Sequence, residues 1–153
     1  MSKFTARKDD FYEGFTMSFA NGYTISVQFG KSNHCSRNEN DEAVSAEIAI
    51  WDKDVTWYNF GGDSVRGHCS ADEVATWMRK VKYCDYTGDK WVLYDRDEDV
   101  MWLNSGDEPY VYDSIEEAME DYWGSQHKPI MVKDLPYDQK TKVLTKELNQ
   151  IIL

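Results

Sequence analysis

Two runs of alternating apolar residues flank an Asn-Gly pair near the start of the chain, and they leave little choice of local structure. Alternation with a period of two places every second side chain on one face of a β-strand, so the segment predicts an antiparallel hairpin. The apolar positions are Phe15, Met17 and Phe19 before the pair and Tyr23, Ile25, Val27 and Phe29 after it.

The length of the hairpin loop decides which side chains share a face. A two-residue turn at Asn21-Gly22 would pair Ala20 with Tyr23 and place the two apolar sets on opposite faces. A three-residue loop of Ala20, Asn21 and Gly22, with Gly22 in the left-handed conformation, pairs Phe19 with Tyr23 and unites both sets. We therefore predict the three-residue loop.

Three later segments predict helices with one apolar stripe each. Ser70 and Glu73 form a capping box at the start of the first, Asp113 or Ser114 caps the second, and the third follows Pro136. The stripes are Val74, Trp77, Met78 and Val81 in the first helix, Ile115, Ala118, Met119 and Tyr122 in the second, and Val143, Leu144, Leu148 and Ile151 in the third.

Short apolar runs between these helices predict further strands, and a polar run predicts an exposed loop at residues 31–41. We predict one α+β domain over residues 1–153, with a mainly antiparallel sheet and about three helices. The predicted strands lie near residues 44–50, 55–60, 90–94, 100–103 and 127–132. In the last of them, Pro129 indicates either a sheet edge or the start of the strand.

Residues 52–61 and 97–106 are alike at six of ten positions. A Ser-x-acid-Glu helix start follows each copy. One interpretation is the duplication of a strand-turn-strand-helix unit. The other is that Asp, Asn and Gly recur in turns for local reasons.

Hydrophobic residues make up 41% of the chain and include six Trp, ten Tyr and six Phe. A disordered acidic chain would contain far fewer bulky apolar groups, so the protein is expected to fold. No run of about 18 apolar residues occurs and no apolar stretch follows the N-terminus, so we expect a cytoplasmic protein without a membrane segment. Three cysteines, an odd number, fit reduced thiols.

The candidate metal ligands are two His-Cys pairs and the remaining cysteine. Adjacent residues on an extended chain point to opposite faces, whereas zinc ligands are usually spaced two to four residues apart. This spacing disfavours a zinc site, and it also gives no sign of Cys-His catalysis. The residues are His34, Cys35, His68, Cys69 and Cys84.

Asp95, Asp97 and Asp99 alternate like the first three ligands of a helix-loop-helix calcium site. However, Val100 stands where that loop requires Gly, and Gly106 stands where it requires Glu. A solvated hairpin turn therefore explains the acidic run better than a calcium site. We predict that the protein holds no metal and no cofactor.

The negative charge of the chain is concentrated in one segment. The chain carries a net charge of −11, and residues 85–121 alone contain 13 acidic residues against Lys90 and Arg96. A field of one sign on one part of a protein attracts and selects basic partners. Direct binding of nucleic acid is disfavoured because such a field repels phosphate.

The second predicted helix carries like charges four residues apart, Glu116 with Glu120 and Glu117 with Asp121. Each pair costs about 0.2 to 0.5 kcal/mol, so selection for stability alone would have introduced Lys. We therefore interpret the acidic residues of this segment as a partner-binding surface. The predicted residues are Asp95, Asp97, Glu98, Asp99, Asp107, Glu108, Glu116, Glu117, Glu120 and Asp121.

No catalytic motif is present in the sequence. It has no phosphate-binding Gly loop, no nucleophile elbow and no HExxH pair. With 28 carboxylates, close acid pairs such as Asp52 and Asp54 arise by number alone and do not identify a general acid and base. We predict that the protein is not an enzyme.

The carboxylates of residues 95–121 in a short, Trp- and Tyr-rich chain resemble small acidic bacteriophage proteins that inactivate host defence enzymes, several of which imitate DNA. The strands around Asn21-Gly22 are also similar to those of bacteriophage proteins. The resemblance implies a non-catalytic inhibitor in the host cytoplasm. Its partner would be a basic surface of a host protein, expected to bind nucleic acid.

Two other functions stay open. One is a small-molecule domain that sequesters a nucleotide between aromatic side chains such as Trp57, Trp91 and Trp102, with cations from Arg66, Arg79 or Lys82. In the other, the acidic face serves solubility only, because net charge favours solubility before it selects partners.

Overall fold

The computed structural model describes residues 2–152 and confirms the α+β class. Its eight strands pair only in antiparallel fashion, and it contains the three predicted helices. The chain forms two compact units. Unit 1 is Met1–Asp85 with Ile151–Leu153, and unit 2 is Tyr86–Gln150. The prediction of one domain stays a prediction.

Unit 1 is a five-stranded sheet with the strands in sequence order, followed by one helix. Two of its strands, β1 and β5, were not predicted. β1 is exposed along its whole length, so its sequence shows no buried face, and β5 is short. The elements are β1 (Lys3–Lys8), β2 (Glu13–Ser18), β3 (Thr24–Gln28), β4 (Ala46–Trp51), β5 (Arg66–Cys69) and α1 (Ala71–Tyr83).

The hairpin of β2 and β3 has the predicted register. Met17 is opposite Ile25, and Phe19 N donates to Tyr23 O at 2.8 Å. Gly22 closes the three-residue loop with φ +90°. One sheet face is therefore apolar, and Ile25 is fully buried on it.

Helix α1 begins where the capping box predicts, and two residues of its predicted apolar stripe are buried. Ser70 is the N-cap, and its hydroxyl accepts from Glu73 N at 3.2 Å. Val74 and Val81 are buried on the inner face. At the other end, the Asn21 side-chain amide donates to Val81 O at 2.8 Å and to Cys84 O at 2.7 Å. The hairpin loop thereby satisfies carbonyls that a helix end leaves unpaired.

Unit 2 is a three-stranded sheet in the order β7-β6-β8 with two helices. The core contacts of Val92 include Val132 and Val143, and a second cluster contains Leu93, Tyr112 and Ala118. The elements are β6 (Trp91–Asp95), β7 (Val100–Met101), α2 (Ile115–Glu120), β8 (Lys128–Met131) and α3 (Tyr137–Asn149), with 3₁₀ turns at Thr87–Asp89 and Val132–Asp134.

Strand β8 pairs only with β6 and lies at the sheet edge, the first of the two alternatives that Pro129 indicates. Val143, Leu144 and Leu148 of α3 are fully buried. The predicted return strand at residues 55–60 is reduced to a single bridge between Trp51 and Trp57.

The predicted stripe of α2 is wrong at two positions. Only Ala118 is buried, whereas Ile115 and Met119 are 40% and 47% exposed. The helix has six residues, so Tyr122 lies beyond its end. A helix this short buries one side chain against β6, and its other apolar residues face solvent.

The turns in the two similar segments differ by one position. Val55 has a left-handed backbone in the first copy, whereas in the second it is Asp99, which aligns with Asp54. In both segments an Asn side chain accepts a backbone hydrogen bond: Asn59 Oδ1 accepts from Gly62 N, and Asn104 Oδ1 accepts from Gly106 N. Duplication stays a prediction.

No helix within residues 2–152 combines the length and the apolar character needed to cross a membrane.

Candidate functional site

The β6–β7 turn uses one of the predicted binding carboxylates for its own structure. Asp95 is only 6% exposed. Its Oδ1 accepts hydrogen bonds from Asp97 N at 2.9 Å and Glu98 N at 3.2 Å. Asp97 and Glu98 themselves are exposed. The carboxylate of Asp95 therefore holds the turn, and Asp97 and Glu98 present theirs to solvent.

Asp99 closes the same turn in a left-handed conformation, with φ 53°. Its Oδ1 accepts from the Tyr94 hydroxyl at 2.6 Å and from Gln139 Nε2 at 3.2 Å. The hydrogen bond to Asp99, with a smaller effect of burial, raises the pKa of Tyr94. Asp99 thus joins β6 and α3 within unit 2.

A second loop presents Asp107 and Glu108. Asn104 Oδ1 accepts from Gly106 N at 2.8 Å and from Glu108 N at 3.1 Å, and Asp107 is left-handed with φ 59°. The Asn104 amide therefore organises the backbone, and neither acidic side chain takes part. Both acidic residues are exposed.

The start of α2 resembles a capping box, although the Glu117 side chain bonds the residue before the N-cap Ser114. Ser114 Oγ accepts from Glu117 N at 3.2 Å, and Glu117 Oε2 accepts from Asp113 N at 3.0 Å. At the other end, Asp121 Oδ2 accepts from the Tyr112 hydroxyl at 2.7 Å. Burial and this hydrogen bond raise the pKa of Tyr112. Glu117 and Asp121 are therefore committed to contacts within unit 2.

Six of the ten predicted residues remain. Their side chains form no ion pair and no hydrogen bond within the described part of the chain. We call them the acidic surface: Asp97, Glu98, Asp107, Glu108, Glu116 and Glu120.

Large apolar side chains are exposed in the same segment as the acidic surface. Trp123 is the most exposed, at 86%. The sequence reasoning missed this feature because helical periodicity assigned Ile115 and Met119 to the core. The exposed residues are Val100, Trp102, Leu103, Tyr110, Ile115, Met119 and Trp123.

Little positive charge offsets these carboxylates. Residues 86–123 contain only Lys90 and Arg96 as basic residues. Lys90 Nζ lies 3.2 Å from Asp113 Oδ1, which leaves the exposed Arg96 as the one cation beside Asp97 in the sequence. The field of the segment is therefore strongly negative.

The candidate metal ligands have other partners. His34 Nδ1 lies 2.7 Å from Glu47 Oε2, and His68 Nδ1 lies 3.0 Å from Ser36 Oγ. Cys69 is fully buried, and burial raises the pKa of its thiol. Across residues 2–152, no group of three or more His, Cys, Asp and Glu side chains could hold a metal ion. That the protein binds no metal stays a prediction.

Unit 1 contains a pocket of about 590 Å³ that sequence reasoning did not find. It lies between the apolar sheet face, represented by Phe15 and Val27, and helix α1, represented by Val74 and Met78. Residues 41–46 form a third wall. None of the aromatic residues proposed for nucleotide binding lines it: Trp57 lies elsewhere in unit 1, and Trp91 and Trp102 are in unit 2.

A smaller pocket of about 430 Å³ in unit 2 is lined by residues of both charge signs. Asp97 and Arg96 contribute from the β6–β7 turn, and Lys128 contributes from β8. Asp97 is therefore the one residue of the acidic surface that lines this pocket.

Comparison of the chain with protein-family models, with curated proteins and with solved structures gives no significant match.

Proposed function

We propose that this protein is a non-catalytic interaction protein whose acidic surface binds a basic surface on another protein. The observation behind the proposal is the combination of residue types that are exposed in residues 97–123. Unpaired carboxylates lie in the same segment as large apolar side chains, with almost no basic residue among them.

The apolar residues distinguish this proposal from a purely solubilising role. A surface evolved for solubility alone has no reason to expose Trp123 or Met119. Binding energy in interfaces is concentrated in aromatic and other large side chains, whereas rim charges mainly set specificity and association rate. The combination suits a partner with basic residues around an apolar patch.

The acidic character further suggests that the partner surface normally binds nucleic acid, as in the bacteriophage inhibitors that the sequence resembles. Carboxylates can occupy the positions of phosphates on such a surface. The six unpaired carboxylates of the acidic surface support this role. The four carboxylates that accept hydrogen bonds from backbone amides or tyrosine hydroxyls do not.

A charge-reversal experiment tests the proposal. Glu116→Lys with Glu120→Lys should abolish capture of basic proteins from bacterial cell extract and preserve the fold, since neither side chain has a partner within residues 2–152. Capture by the wild type should weaken as salt shortens the screening length to about 8 Å. Duplex DNA added to the extract should compete with it.

The matched control is Asp10→Lys with Glu39→Lys in unit 1, which changes the net charge equally and removes two exposed carboxylates. The control should capture the same proteins as the wild type. If the reversed protein also captures them, the acidic surface does not bind the partner and the proposal is wrong. If both variants lose them, net charge alone is responsible, and the proposal is equally wrong.

A further inference from the structure

The pocket of unit 1 has the size and lining of a small-molecule site. Ligand pockets commonly enclose about 300 to 1,000 Å³ and have mainly apolar walls with a few polar groups. This one encloses about 590 Å³. Apolar walls are provided by Phe15 and Val27 from the sheet, Phe29 directly after β3, and Val74 and Met78 from α1.

The pocket lining contains more negative than positive side chains. Its lining contains one cation, Arg37, and three carboxylates, from Glu13, Asp41 and Glu42. Arg37 Nε donates to Asp41 Oδ1 at 2.8 Å, and this contact raises the pKa of the guanidinium. The pair is internally neutral, so a net negative charge from the other two carboxylates remains.

Arg37 is also fixed by the backbone. Its Nη1 donates to Phe29 O at 2.6 Å, and its Nη2 donates to Asp41 O at 2.8 Å. An arginine held by three contacts supports the loop that forms one wall of the pocket. Binding a ligand anion with it would bring that anion beside Asp41, which disfavours an acidic ligand.

The two remaining carboxylates lack a positive partner. The Glu13 side chain makes no hydrogen bond or ion pair with a described residue, although Lys8 is opposite it in the strand register. Among residues 2–152, Glu42 Oε2 accepts only from the neutral Asn38 amide, at 3.3 Å. Lys31 lies 3.9 Å from Asp41 and does not pair with either residue.

We infer that this pocket binds a small apolar molecule that carries a cationic amine, with the apolar part against Phe15 and Met78 and the ammonium near Glu13 and Glu42. Apolar burial supplies most of the binding energy, and the carboxylates select the cation over neutral or anionic analogues. This site is independent of the acidic surface in unit 2.

Three ligands with the same alkyl chain test the inference: octylamine, octanol and octanoate, titrated into the whole protein at neutral pH. NMR shifts should change at Val27, Val74 and Ala75. Octylammonium should bind about fivefold more tightly than octanol, and octanoate most weakly. Glu13→Gln with Glu42→Gln should weaken octylammonium about twofold to tenfold and leave octanol unchanged.

A pocket-filling variant separates this site from surface binding. Ala75→Trp projects an indole into the pocket from an exposed helix position and should abolish the shifts for all three ligands. Thr76→Trp, at the next exposed position outside the lining, is the matched control and should bind like the wild type.

The inference is overturned if octanoate binds as tightly as octylammonium, if the shifts map outside the pocket, or if Ala75→Trp binds like the wild type. Shifts that depend on protein concentration without ligand would instead show a second copy of the chain in the pocket, which also overturns it. Glu116→Lys with Glu120→Lys should not change octylammonium binding, so the two proposals fail separately.

Discussion

At the residue scale, the acidic residues of unit 2 divide by what their carboxylates contact. Asp95 and Glu117 accept from backbone amides, and Asp99 and Asp121 accept from tyrosine hydroxyls. These four stabilise local structure whether or not a partner exists. Substituting them would mix folding effects with binding effects, so a test of binding belongs to the unpaired residues.

Tyr112→Phe tests the contact with Asp121. Loss of the hydroxyl should cost about 1.5 to 3 kcal/mol at neutral pH, because Tyr112 is buried and bonded to a carboxylate. Because the pKa of Tyr112 is raised in the folded protein, its hydroxyl ionises at a lower pH in the unfolded chain, at about pH 10. The hydroxyl of Tyr112 therefore contributes fully to the free energy of unfolding below that pH, and this contribution is lost as the pH rises further.

The measurement is urea unfolding of wild type and Tyr112→Phe between neutral pH and pH values above about 10. The difference between the two proteins should shrink at the alkaline end. Tyr83→Phe, which alters an exposed phenol without a hydroxyl hydrogen bond in the described chain, should match the wild type at neutral pH. A constant difference across the range would contradict the assigned cause.

At the element scale, loop length in the β2–β3 hairpin decides the face of every apolar side chain in both strands. Shifting the register by one residue would move Ile25 from the core to the polar face. Gly22 permits the correct register because its backbone is left-handed, with φ +90°. Residues with a β-carbon avoid that conformation.

Gly22→Val should therefore destabilise the protein by about 1 to 3 kcal/mol. Space adds little to this cost, because the nearest atoms to an added β-carbon belong to the flexible Lys53 side chain, at 3.3 Å. Thermal unfolding measures the effect. Ala20→Val in the same loop, at an exposed residue without a positive φ, should have a clearly smaller effect, and equal losses would argue against backbone strain.

At the scale of the whole molecule, the sequence predicts one domain, whereas the contacts form two compact units. A single domain of this size should unfold in one cooperative transition. Circular dichroism and tryptophan fluorescence should then give coincident curves. Gly22→Val in unit 1 and Tyr112→Phe in unit 2 should both shift that same transition. Two transitions, each shifted by only one variant, would contradict the prediction.

The sequence by itself determined the features that depend on residues close together in the chain. The register of β2 and β3 and the Ser70 cap were predicted and are confirmed. Of the alternatives that the sequence left open, the structure has Ser114 as the second cap and Pro129 in an edge strand. Each depends on a short-range rule: side-chain alternation, a capping hydrogen bond or a missing amide hydrogen. Such rules need no knowledge of distant residues.

Only the tertiary structure decided which surfaces are covered. Strand β1 forms because β2 offers a free edge, so its own exposed sequence gives no sign of it. Ile115 and Met119 lie on the predicted apolar stripe but face solvent, because α2 is too short to bury them. Carboxylates alike in sequence differ in role because the folded backbone brings the hydroxyls of Tyr94 and Tyr112, five and nine residues away in the chain, to Asp99 and Asp121.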